Sequence, residues 1–194
     1  MIRVQVTDRL VAEAREYMEP LTCQEEAKTR FTDEQMLIGA FGEIALIDYC
    51  WSNNLLAYKR QGRSSDVQLH SGHTIEVKTQ KVSTTPEDHY RVLVSSRQEG
   101  NEFSDFMFFT HLQYVAGRPE AIWLLGGCSR DKFWRLSQKH LQGAPMMRHY
   151  PDGNEVANGR YFTQDTNLLQ ISQLAPPSAA LKHFKSLQQK EEAI

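Results

Sequence analysis

The stretch SSDVQLHSGHTIEVKTQ, residues 64–80, constrains the fold more than any other part of this chain. Hydrophobic and polar side chains alternate on both sides of a turn, and alternation with a period of two residues predicts two antiparallel β-strands. A three-residue loop ending in a left-handed glycine fits Gly72 and pairs Leu69 with His73. A loop of only Ser71 and Gly72 would pair the strands differently.

The three-residue loop gives the hairpin two distinct faces. Val67 then lies opposite Ile75, and Asp66 lies opposite Glu76. One face carries Val67, Leu69, Ile75 and Val77, and the other carries Asp66, Gln68, Thr74, Glu76, Lys78 and Gln80. Two carboxylates facing each other across a strand pair repel unless a cation lies between them. A divalent metal or Lys78 would provide that charge, whereas a polar face turned to solvent is the alternative interpretation.

A helix is predicted immediately before these strands. Thr32 and Gln35 form a capping box at its start, and the helical pattern continues to about Asn53. Glu43 lies on or beside the apolar stripe of this helix, which consists of Met36, Ala40, Ile44 and Ile47. A carboxylate in such a position must be paired, protonated or bound to metal, unless it reaches solvent at the edge of the stripe.

The remaining segments predict a mixed fold. Predicted strands cover 55–60, 65–69, 73–79, 90–96, 105–112 and 121–127, with short ones at 159–163 and 167–172. Further helices are predicted at 8–19, 129–141 and 178–193, the first ending near Pro20 and the second capped by Ser129, while 143–159 is rich in turn residues. Within the helix that carries Glu43, Gly39 and Gly42 indicate close approach to a neighbouring backbone. This order of elements favours an α/β or α+β domain.

Composition limits the function classes. Hydrophobic residues make up 40% and charged residues 24% of the 194, as in ordinary soluble proteins, and no segment has the ~20 apolar residues of a membrane span. The three cysteines are scattered, which argues against a disulfide framework or a metal knuckle. We therefore expect a cytoplasmic protein without membrane association. The net charge of −2 argues against passive coating of nucleic acid but not against an enzyme with local basic patches.

The order of the acidic residues resembles a known family. A helical Glu43 in GEIA, then Asp66 opening a strand, then Glu76-Val-Lys78 on the next strand, resembles the PD-(D/E)XK nuclease superfamily. The resemblance covers roughly residues 31–126. Ser65 replaces the proline of the family's name, and the Gln-x-x-x-Tyr element of the RecB-like branch is absent.

The resemblance implies an α/β fold of the restriction-endonuclease type. Its three-layer core would have a central mixed β-sheet flanked by helices. The chain would then be a single nuclease domain over 1–194. Its parts would be an N-terminal helical lead (1–30), a catalytic core (31–126), a C-terminal part (127–175) and an amphipathic C-terminal helix (176–194).

The resemblance also implies a Mg²⁺- or Mn²⁺-dependent deoxyribonuclease and favours an endonuclease over an exonuclease. Asp66, Glu76, the Val77 carbonyl and Glu43 would hold the metal, and Lys78 would orient the attacking water. Weaker nucleic-acid contacts are predicted for Gln80, Lys59, Arg60, Arg63 and Lys81. DNA is the expected partner, in a homodimer or a larger nuclease complex. A non-catalytic module binding nucleic acid or protein on the same fold is the alternative, and an unrelated α+β protein is a third.

Overall fold

The computed structural model describes residues 1–22, 32–60, 66–99 and 104–191. Four helices lie in these ranges: α1 (Asp8–Thr22), α2 (Asp33–Trp51), α3 (Arg130–Leu136) and α4 (Pro177–Glu191). The strands are β1 (Ile2–Gln5), β2 (Ala57–Lys59), β3 (Val67–Leu69), β4 (Thr74–Val82), β5 (Arg91–Ser95), β6 (Phe106–Val115), β7 (Arg118–Ser129), β8 (Gln138–His140), β9 (Pro145–His149), β10 (Glu155–Tyr161) and β11 (Thr166–Gln170). Two 3₁₀ turns follow β5 and β11 (Ser96–Gln98 and Ile171–Gln173).

A six-stranded mixed sheet organises the chain, in the order β1-β7-β6-β4-β3-β2. The pair β4 and β6 is parallel, and its neighbours are antiparallel. Successive residues of β6 point to opposite faces of the sheet and enter two separate cores. Phe108 packs with α1, α2 and α4, whereas Phe109 packs with β5, β11 and α3. Helices therefore cover one face, and the sheet β5-β11-β8 with α3 covers the other. The predicted mixed α/β architecture is confirmed.

Helix α2 lies directly on the central sheet. A Cβ atom at Gly42 would lie 2.0 Å from Oγ1 of Thr79 on β4 and 2.6 Å from Oγ1 of Thr110 on β6. These two hydroxyls also hydrogen-bond each other at 3.0 Å. The close approach predicted for Gly42 is therefore present, but with side-chain hydroxyls instead of backbone. At Gly39 a Cβ would meet only Oε1 of Glu43 at 3.7 Å, which is ordinary contact.

Several elements differ from the sequence predictions. Strand β1 was not predicted, and it pairs with β7, which is far away in sequence. The helix predicted over 129–141 keeps its Ser129 cap but ends at Leu136, because the Ser137 amide closes the last turn on Phe133 and β8 then joins β11. The turn-rich segment 143–159 contains most of the hairpin β9–β10, whose turn includes Gly153 at φ 84°. The first helix was predicted to end near Pro20 but continues to Thr22.

None of the helices in the described ranges is long and apolar enough to cross a membrane.

Candidate active site

The hairpin β3–β4 has the register predicted from Gly72. That residue has φ 76°, and the Leu69 amide donates to the His73 carbonyl at 2.8 Å across the loop. Gln68 pairs with Thr74, and Val67 with Ile75. The predicted separation of the faces is confirmed, since Val67, Leu69, Ile75 and Val77 are buried in the core that includes α2.

The two strands part at Asp66. Its side chain, through Oδ2, accepts a hydrogen bond of 2.7 Å from the Val77 amide. The Asp66 carboxylate thus accepts the hydrogen bond of a β4 amide at the position where the pairing between β3 and β4 ends. Beyond Ile75, no strand of the described chain pairs with this edge of β4. The hairpin therefore opens at the predicted acidic site and anchors Asp66 there.

Glu76 and Lys78 follow on β4. Both lie on the face turned away from the core that holds Ile75 and Val77. The ammonium group of Lys78 forms a close ion pair with Oε1 of Glu76. Their side chains are 22% and 24% exposed, so both charges are reachable from solvent while lying mainly within the protein. Lys78 thus neutralises one carboxylate of the site.

Glu43 reaches the same region from α2. Its Oε2 accepts a hydrogen bond of 2.5 Å from the hydroxyl of Tyr17 on α1. Burial raises the pKa of Glu43, and the negative charge of Glu76 raises it further. The Tyr17 hydrogen bond, followed by the positive charges of Lys59 and Lys78, acts in the opposite direction. Glu43 is therefore a partly desolvated acid held between one hydroxyl and two cations.

Asp66 is buried among charges that oppose its ionisation. Burial raises its pKa well above the ordinary value, and the charges of Glu43 and Glu76 add to the rise. Lys78 and the Val77 amide oppose it without cancelling it. A partly desolvated acid surrounded by other acids favours binding of a proton or a cation. The four side chains predicted to be catalytic thus interact electrostatically, although they come from α2, the start of the hairpin and β4.

The donor chemistry fits a hard divalent cation. The groups are carboxylate oxygens, which Mg²⁺ and Mn²⁺ prefer, and their mutual repulsion would be relieved by positive charge. As the side chains stand, no three His, Cys, Asp or Glu side chains in the described ranges are grouped to enclose a metal ion. Glu76 engages Lys78 through Oε1, so a cation there would compete with Lys78, whereas Tyr17 holds Glu43 in place through Oε2.

Tyr17, which sequence reasoning did not identify, lies beside Glu43 together with Lys59, which the sequence predicted only as a nucleic-acid contact. The Lys59 amine donates to the Tyr17 carbonyl at 2.6 Å and lies 3.4 Å from the centroid of its ring. The spacing of Leu10, Ala14 and Tyr17 places all three on one face of α1, and this signal was available in the sequence. Tyr17 lies outside the predicted catalytic core 31–126, so the N-terminal helix contributes to the site.

The predicted nucleic-acid contacts are in different situations. Lys59 is engaged with Tyr17, and Lys81 is paired with Glu34 at 2.6 Å. The Arg60 amide donates to the Asp66 carbonyl at 3.0 Å, so this basic residue lies beside the site. Arg63 lies outside the described residues. All of these contacts remain predictions.

Gln80 belongs to the same face as Glu76 and Lys78. Its Oε1 atom is buried and has no hydrogen-bond partner among the residues that the structure describes. Leaving a buried amide oxygen without a hydrogen bond lowers the stability of the fold, so a ligand that donates a hydrogen bond to this oxygen would be favoured.

No protein-family model and no curated protein matches this chain.

Proposed function

We propose that this protein is a metal-dependent nuclease that hydrolyses phosphodiester bonds of DNA, as an endonuclease, on a fold of the restriction-endonuclease type. The observation that carries the proposal is the environment of Asp66. The Val77 amide fixes this carboxylate, while burial, and then the charges of Glu43 and Glu76, raise its pKa. Such a cluster costs stability unless it serves a ligand, and a divalent cation is the ligand that this chemistry favours.

Asp66, Glu76, Glu43 and the Val77 carbonyl would hold Mg²⁺ or Mn²⁺. A bound cation of this kind polarises a phosphoryl oxygen and stabilises the charge that develops on the leaving oxygen. The residues of the chain provide the geometry. The Val77 amide keeps Asp66 in one orientation, and the Tyr17 hydroxyl does the same for Glu43.

Lys78 provides the mobile positive charge. In the present arrangement it is paired with Glu76. With Glu76 committed to a cation, Lys78 would be available to orient the attacking water and to stabilise the charged phosphate in the transition state. The position of Lys78, two residues from Glu76 on one face of a strand, makes this exchange of partners a local movement.

Phosphate binding beside the site falls to the basic residues near Asp66. Arg60 lies next to it in space, and Arg63 precedes it by three positions in the sequence. Lys59 and Lys81, which are already paired, would contribute only after rearrangement. We propose that a homodimer or a larger complex supplies the remaining DNA contacts, since the net charge of the chain is −2.

The proposal is tested by cleavage of supercoiled and linear DNA with Mg²⁺ or Mn²⁺. Lys78→Ala and Asp66→Asn are expected to lower the rate by roughly 10²–10⁴-fold, the usual contribution of one positioned catalytic group. Lys182→Ala on α4 and Asp48→Asn on α2 are matched controls, because Lys182 is exposed and the partly exposed Asp48 faces Arg9 at 3.6 Å. DNA binding without cleavage by the folded wild-type protein would favour a non-catalytic module.

A further inference from the structure

A large cavity opens on the far side of the central sheet from α2. Its volume is about 660 Å³, within the ~300–1,000 Å³ range of small-molecule sites. The central strands β4 and β6 form its floor, β5 and β11 form one wall, and the hairpin β9–β10 closes it from above. The cavity is separate from the carboxylate cluster, but it shares β4 with that cluster.

The floor carries polar atoms that lack partners. Gln80 on β4 and His111 on β6 lie side by side in the parallel ladder, and both line the cavity. His111 is only 2% exposed, and neither of its ring nitrogens is hydrogen-bonded within the described part of the chain. The Oε1 atom of Gln80 is unpartnered in the same way. Leaving each such group unpaired costs about 1–3 kcal/mol, so a ligand with complementary donors and acceptors would gain from meeting them.

The walls and the rim differ in character from the floor. The walls are aromatic and aliphatic, formed by Tyr90, Leu93, Met146, Met147, Phe162 and Leu168. The rim carries Arg91 and Arg148. Arg91 is paired with Glu155 of β10 at 3.0 Å, and this ion pair attaches the hairpin to β5. Glu87 also lines the cavity and Arg91 is already paired, so Arg148 is the cation that this lining offers to a phosphate. A polar floor, apolar walls and this cation match a planar heterocycle attached to a phosphate.

The cavity begins where the candidate active site ends. Gln80 follows Lys78 by two residues on the same face of β4. Two residues of a strand span about 7 Å, so a ligand on Gln80 lies next to the position proposed for the scissile phosphate. A single nucleotide unit can bridge a distance of this order.

We propose that the cavity binds an unstacked nucleobase, with Gln80 and His111 reading its hydrogen-bonding edge and the aromatic and methionine walls packing against its faces. The base belongs to the DNA strand at the active site, and this part rests on the function proposed above. Proteins that take a base out of the helix use the same combination of edge hydrogen bonds and apolar packing. A free mononucleotide offers the same chemistry, and the experiment below separates the two sources.

The test uses single-stranded and duplex oligonucleotides that carry one 2-aminopurine, a base whose fluorescence rises on unstacking. Binding is measured in EDTA, where no cleavage occurs, and nucleoside monophosphates are titrated separately. Gln80→Leu and His111→Phe keep the shape of the side chains but remove their hydrogen-bonding groups. Each variant is expected to weaken binding about tenfold, the cost of one hydrogen bond to a buried partner. His183→Phe, on α4 at the opposite face, is the matched control.

A rise in fluorescence that the control keeps, and that each variant shows only at about tenfold higher protein concentration, supports the proposal. Binding of nucleoside monophosphates without any fluorescence change in DNA overturns the assignment to the DNA strand. Absence of both responses overturns nucleobase binding altogether. Cleavage is scored independently, so a protein that binds the base in EDTA but never cuts with Mg²⁺ refutes only the proposed nuclease activity. The melting temperature of each variant identifies misfolded protein. Removing unpaired polar groups should leave this temperature unchanged or raise it, so a large decrease would indicate misfolding.

Discussion

Tyr17 on α1 donates a hydrogen bond of 2.5 Å to Glu43 on α2 and thereby connects the N-terminal helix to the acidic cluster. The hydroxyl points to a carboxylate whose pKa is already raised by burial, so the contact stabilises the charged form where water is scarce. The same tyrosine holds Lys59 through its carbonyl and its ring.

Replacement of Tyr17 by phenylalanine should destabilise the fold. A hydrogen bond to a partly desolvated charged group is worth about 1–3 kcal/mol, so the free energy of unfolding should fall by about that amount. Urea denaturation at neutral pH measures the change. Tyr161→Phe is the control, because that side chain is 63% exposed on β10 and its loss should cost less than about 0.5 kcal/mol. Equal stability of the two variants would show that the Tyr17–Glu43 contact contributes nothing.

Asp66→Asn should have opposite effects without and with metal. Burial and two neighbouring acids disfavour the charged Asp66, so a neutral amide should leave the melting temperature in EDTA unchanged or higher. Mg²⁺ should raise the melting temperature of the wild type but not that of the variant. At a hundredfold excess of Mg²⁺ over Kd, the free energy of unfolding of the wild type should rise by about 2.7 kcal/mol. Calorimetry measures both, with Asp48→Asn as control. If Mg²⁺ stabilised the wild type and the variant equally, Asp66 would not be a ligand of the cation.

The burial of His111 predicts that the protein loses stability in mild acid. Burial lowers the pKa of this imidazole to about 4 in the folded protein, whereas an unfolded histidine titrates near ~6.5. The unfolded chain therefore binds the proton first, and the free energy of unfolding should fall as the pH drops from about 6.5 to about 4. The contribution of this one group is on the order of 3 kcal/mol.

The pH profile of His111→Phe tests this assignment. Chemical denaturation at a series of pH values should give a flatter curve for this variant between about 4 and 6.5. The control His183→Phe, which replaces an exposed imidazole on α4, should keep the slope of the wild type. A variant profile parallel to that of the wild type would place the acid sensitivity in other groups.

Gly42→Ala should be destabilising even though alanine favours helices. The added methyl group would lie 2.0 Å from the Thr79 hydroxyl and 2.6 Å from that of Thr110, so α2 must move away from the sheet. Overpacking of this kind costs about 1–3 kcal/mol. Gly39→Ala, one turn earlier, meets nothing closer than 3.7 Å and should gain up to about 1 kcal/mol. Thermal melts that shift both variants in the same direction would contradict this account.

The local parts of the site could be predicted from the sequence. The register of β3–β4 depends on Gly72, whose left-handed conformation is available at no cost only to glycine, and that register fixes which side chains share a face. The position of Glu43 on the stripe of α2 follows from helical periodicity in the same way. These inferences need only neighbouring residues, which is why they agree with the structure.

Contacts between elements that are distant in the sequence could not be predicted from it. The contact between Tyr17 and Glu43 depends on how α1 packs on α2, and periodicity indicates only which face of each helix is buried. Strands β1 and β9 are short, and their partners determine whether they form at all. The departure of β5 from the central sheet has no local signal, because the pairing of distant strands is decided by tertiary packing.

The crossover between the parallel strands β4 and β6 has a consequence for folding. It contains β5, which leaves the central sheet and pairs with β11 in residues 166–170. The span predicted as a catalytic core, 31–126, therefore lacks the strand that β5 requires. During synthesis, β5 cannot pair until residues 166–170 have been made. A polypeptide truncated before β11 should expose the underside of the nascent sheet and become a substrate for chaperones.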